Sequence, residues 1–137
     1  MKVEIQRIND AFHLEATNEL GNKVHVDAST DMGGSDLAFR PMQLMLAAIG
    51  SCSSIDVISI LQKQRQEVTD YHVTIEAERE KDNVPALFTT VHLHFALKGN
   101  LDKAKVEKAI QLSVEKYCSV VKIMEKTATI THSFSIS

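Results

Sequence analysis

The sequence predicts an α+β fold of mostly antiparallel strands around a long, buried central helix. Three observations carry this. Segments at both ends of the chain alternate apolar and polar residues, residues 41–61 are apolar nearly all round, and residues 101–117 repeat apolar positions at helical spacing. With 137 residues the chain can bury one core but has no room for a second, so residues 1–137 form a single predicted domain.

Val3 and Ile5, then Phe12, Leu14 and Ala16, then Val24 and Val26 alternate with polar neighbours, with "IND" and "NELGN" as the intervening turns. That pattern is an antiparallel meander. Residues 29–40, rich in Gly, Ser and Asp, form a loop. Pro41 suits a helix's first turn, where its missing N–H would have had no partner, so a helix opens there and runs to about Gln66, turning polar after Leu61. Tyr71, Val73, Ile75 and Ala77 share one face of a strand, and His72, Thr74, Glu76 and Glu78 the other. A partner strand, Thr89 to Leu97, follows the reversal "KDNVPALF". Val106, Ala109, Ile110 and Val114 mark an amphipathic helix running to Tyr117, and a short helical turn follows Cys118. The last strand places Ile130, His132, Phe134 and Ile136 on one face.

Composition narrows the function. A formal charge of -3, with no run of Lys or Arg, gives no electrostatic footprint for nucleic acid or an anionic membrane, so neither is an expected partner. The N-terminus alternates rather than presenting a basic patch and an apolar run, so no signal peptide is expected. Gln43, Asp56 and four serines within residues 41–61 argue against a membrane span. The expected location is cytoplasmic, where two cysteines read as thiols, metal ligands or a catalytic pair rather than a structural disulfide.

The middle of the long helix holds the chemistry. Its "GSCSS", residues 50–54, interrupts an apolar run with small polar groups and a thiol. Serines there pack closely and can bond back to a carbonyl one turn earlier. Gly50 loses roughly 1 kcal/mol of helix propensity relative to Ala, which implies that another helix or a ligand approaches the backbone. Cys52 by itself reads as a small buried hydrophobe. Cys118, at the break between a helix and a turn, is placed to approach it in the fold. Arg40, at the mouth of the helix, offers a cation that would draw a thiol down from about 8.5. Asp56, one turn after Cys52, opposes that ionisation.

"RPMQLMLAAIGSCSSIDVISIL", followed by "EKYCSVVKIM" and "ATITHSFSI", resembles the OsmC/Ohr family of osmotically inducible and organic hydroperoxide resistance proteins, over nearly the whole chain. The resemblance implies an OsmC-like fold, assembled as an intertwined homodimer with its active sites at the interface. It implies a thiol peroxidase of organic hydroperoxides, with Cys52 as nucleophile, Cys118 as resolving thiol and Arg40 as thiolate stabiliser. An external dithiol would restore the reduced form, and no metal or other cofactor would be needed. The pattern departs from the family's peroxidases in one respect. Those carry an acidic residue after the helix-opening proline, where this chain has Met42 and Gln43, and their arginine lies elsewhere, with Arg7 as a second candidate here. A non-catalytic dimeric module of the same fold, binding a small apolar molecule or sensing redox state, is the alternative.

Other constellations read more plainly. His92 and His94 project from one strand face, a spacing two metal ligands could use, but without further ligands they are a solvated sheet face. His132, on an apolar strand face, reads as a core histidine bonded to backbone. "GGSD", residues 33–36, is a flexible loop able to cover a pocket rather than a phosphate cradle. Met42, Met45 and Met124 are core residues first.

Overall fold

The computed structural model describes all residues, Met1–Ser137. They form two compact units, Met1–Met45 and Leu46–Ser137. The first is built on a meander of β1 (Val3–Arg7), β2 (Leu14–Asn18) and β3 (Lys23–Val26), antiparallel throughout in the order β1-β2-β3. Phe12 stays outside the strands: the Asn9 side chain accepts from the backbone N–H of Ala11 and His13 and holds residues 9–13 as a turn.

The loop after β3 contains one short 3-10 turn, Thr30–Met32. Its anchor is Asp27, only 2% exposed, whose carboxylate accepts from the backbone N–H of Ala28, Ser35 and Leu37. Burial pushes the Asp27 carboxyl up, but these three donors outweigh it and hold the group below the usual carboxylate range. A Cβ on Gly34 would land 2.0 Å from the Ala28 carbonyl oxygen, so the loop closes on a position only glycine fits. The "GGSD" segment expected to be flexible is therefore tied down within its unit.

Helix α1 (Pro41–Lys63) begins where Pro41 predicts. The Gln43 side chain reaches back to accept from the Arg40 N–H at 3.0 Å, half of a capping box. Its buried stripe is Ile49, Gly50, Ser53, Val57 and Leu61, and the other faces are less covered than the all-round apolar pattern predicts: Ile55 is 69% exposed. By length and composition alone α1 would also suffice to cross a bilayer.

In the second unit, β4 (Asp70–Arg79) and β5 (Phe88–Lys98) pair antiparallel, with Val91, Leu93, Phe95 and Leu97 buried in the core. The chain then crosses over through α2 (Lys103–Leu112), a π-helical turn (Ser113–Tyr117) and α3 (Ser119–Met124). It returns as β6 (Thr129–Ile136), parallel to β5 at the sheet edge. Asp102 caps α2 by accepting from the Lys105 N–H, and Val106, Ala109 and Ile110 bury its apolar stripe.

His92 and His94 lie on the outer face of this sheet, where all four ring nitrogens meet hydroxyls of Thr131, Ser133 and Ser135 on β6 at 2.7–3.3 Å. These bonds tie β5 to β6, and both rings are half-buried there rather than freely solvated. His132 sits beside Leu93 on the other face, as its alternation requires, yet it is exposed because β6 is an edge strand. It lines a cleft with Lys103 and Glu107 of α2, so the expected core histidine is a surface one.

Candidate functional site

The second unit brings together the two thiols that the sequence singles out. Cys52 projects from the middle of α1, one turn before Asp56, and Cys118 sits between the π turn and α3. The two sulfurs and an Asp56 carboxylate oxygen lie within 4.8 Å of one another. Both cysteines are free thiols, Cys52 partly exposed and Cys118 fully buried.

Cys118 owes its place to the π turn. Its N–H bonds to the Ser113 carbonyl at 2.8 Å, five residues back, and the extra residue in that turn stops α2 and swings the thiol toward α1. The Cys118 sulfur then accepts from the Val121 N–H at 3.4 Å at the start of α3. Burial pushes the Cys118 thiol above its ordinary value and the adjoining Cys52 thiol adds to this, while the Ser53 hydroxyl and the Val121 N–H pull it back. The Ser53 hydroxyl is fully buried, and although it lies close enough to Cys118 to act on it, it forms no hydrogen bond of ordinary geometry.

Asp56 is held from the other side. The Ser113 hydroxyl donates to Asp56 Oδ2 at 3.1 Å, with the Ser53 carbonyl at 3.4 Å. Ser113 is a residue that the sequence reading missed. Its one signal was a polar residue three after Ile110 on an otherwise apolar helical stripe. Beside Asp56 opens a cleft of about 630 Å³, lined by Ile60, Lys63 and Gln64 of α1, Leu112 of α2 and Tyr117.

The small residues of α1 have separate tasks. A Cβ on Gly50 would meet Ile75 Cδ1 of β4 at 2.5 Å, so the close approach it permits is that of a strand side chain, neither a helix nor a ligand. Ser51 and Ser54 bond back to carbonyls at 2.7 Å and 2.6 Å, and the Ser54 hydroxyl accepts from Tyr71 at 3.0 Å. Burial pushes the Tyr71 phenol up to about 12, so it remains a neutral donor there.

Arg40, the expected thiolate stabiliser, belongs to the first unit, where it pairs with Asp36 at 3.0 Å and is half exposed. Arg7 donates to the backbone carbonyls of Ala11 and Asp10.

The thiol pair lies on a Pro-initiated helix and a later helix break, and comparison with known proteins supports the family resemblance. The model of the OsmC-like protein family matches residues 33–133. The chain belongs to the OsmC-like family. Protein YhfA of Escherichia coli K12 is 48% identical over 107 residues, 77% of this chain and 79% of that one. A hypothetical protein from Aquifex aeolicus VF5 superposes with a TM-score of 0.81 at 28% identity, covering 99% of this chain and 96% of the other. An organic hydroperoxide resistance protein, OsmC, of Legionella pneumophila superposes with a TM-score of 0.73 at 20% identity, over 98% and 97% of the two chains. That last likeness is one of fold. The α+β architecture is thus the OsmC-like fold, with two three-stranded sheets and a long cysteine-bearing helix.

Proposed function

We propose that the protein is a thiol-dependent peroxidase that reduces organic hydroperoxides in the cytoplasm, working as a homodimer and re-reduced by an external dithiol. The observation that carries this reading is the proximity of the Cys52 and Cys118 sulfurs within an OsmC-like chain. Solved neighbours described as organic hydroperoxide resistance proteins, from Legionella pneumophila and Bacillus subtilis among others, support the substrate class.

In the proposed cycle the partly exposed Cys52, as thiolate, attacks the outer oxygen of the hydroperoxide. The O–O bond breaks, the sulfur becomes a sulfenic acid, and the alkoxide leaves as alcohol on taking up the proton the thiol gave away. Asp56, near both sulfurs, is the group that carries that proton. Cys118 then attacks the Cys52 sulfur, and the hydroxyl departs as water as the disulfide closes. Two electrons from a dithiol reopen it.

The test is dithiol-dependent consumption of cumene hydroperoxide by the native protein and by Cys52→Ser. Native turnover that the substitution abolishes supports the peroxidase. Equal rates eliminate the mechanism and leave a binding or redox-sensing module of the same fold.

A further inference from the structure

Cys52, Asp56 and Cys118 pack three acidic side chains within 4.8 Å, and none of the chain's ion pairs involves Asp56. Lys63 shares the neighbouring cleft without pairing to it. Two donors reach the cluster from outside, the Ser113 hydroxyl being shared with the Ser53 carbonyl at 3.4 Å. The Val121 N–H points at the Cys118 sulfur and the Ser113 hydroxyl at Asp56 Oδ2. The fully buried Ser53 hydroxyl, without a hydrogen-bond partner of its own, lies against Cys118, where a thiolate would accept from it. Donors of this kind suit sulfur and oxygen ligands once a divalent cation has displaced their protons.

We propose that the reduced protein binds one thiophilic divalent cation of the zinc class per chain, with the Cys52 and Cys118 sulfurs and an Asp56 oxygen as ligands and water as the fourth. The geometry fits. Bond lengths of about 2.0–2.3 Å set tetrahedral zinc ligands roughly 3.3–3.8 Å apart, so rotation of two side chains closes the gap from the present spacing. Cys52 and Asp56, four residues apart on one helix, supply two adjacent ligands, and Cys118 supplies the third from a fixed chain break. Partial exposure of Cys52 gives the ion its entry path. Ser113 orients the carboxylate, as outer partners do in metal sites. The site needs no peroxide chemistry, so it stands or falls independently of the peroxidase reading.

The experiment uses the full-length, fully reduced, metal-free protein. Zinc is titrated in competition with a chromogenic chelator, and cadmium is titrated while the ultraviolet thiolate-to-metal charge-transfer band is followed. The expected result is one ion per chain, with a cadmium band that Cys52→Ser diminishes. Asp56→Asn is expected to lower zinc affinity more than tenfold, and Ser113→Ala by about tenfold. Because Cys118 is fully buried and its replacement would change the packing around it, the Cys52 variant, whose fold is checked by circular dichroism, decides the matter. Zinc affinity indistinguishable between native and Cys52→Ser protein, or no cadmium band, overturns the proposal.

Discussion

Cys118 is the residue whose chemistry depends most on its surroundings. Its thiol is pushed above its ordinary value by burial, so at neutral pH little of it is thiolate. Disulfide closure from the Cys52 sulfenate is therefore predicted to speed up as pH rises, and to go on rising beyond the pH at which a free cysteine would level off. Rapid-mixing single-turnover kinetics measure this, and a flat profile would show that Cys118 does not resolve the sulfenate. The two thiols were legible in the sequence because cysteine is rare and each occupied an unusual context, a mid-helix polar patch and a helix break. Ser53 and Ser113 were not, since a hydroxyl gains its meaning from what the fold sets against it. Asp56 was legible only as an obstacle to ionisation, because spacing along α1 reveals its distance to Cys52 but not to Cys118.

The elements follow their periodicities closely, and the misses have physical causes. Alternation in β6 marks a strand and its faces but carries no direction, so its parallel pairing with β5 could not be read from it. The π turn at Ser113–Tyr117 hides inside a helical pattern, as one extra residue does not break the apolar repeat. Gly50 is the element-scale test. Gly50→Leu is predicted to cost about 1–3 kcal/mol, because its side chain must displace Ile75 of β4. For Gly50→Ala the expected change is within about 1 kcal/mol, since the helix-propensity gain offsets shifting Cγ1 and Cδ1 of Ile75. Denaturant unfolding of both variants measures the difference. Loss of stability as large for Ala as for Leu would mean that the helix and strand cannot yield there at all.

At the scale of the whole molecule, α1 is apolar on more faces than the chain itself covers. Ile55 is 69% exposed and Met45 39% exposed. The proposed homodimer accounts for that surface, since a second copy would bury it. Sedimentation is expected to give a dimer, and Ile55→Glu to shift it toward monomer; a native monomer at high concentration would remove the dimer from the account.

The reactive pairing of Cys52 with Cys118 is the claim on which the function rests. The most direct measurement is peptide mass mapping of the reduced protein after a brief pulse of less than one equivalent of organic hydroperoxide. The account predicts a Cys52–Cys118 disulfide within single chains, formed much faster than free cysteine oxidises. Both thiols left intact, or oxidation scattered without that link, would contradict it.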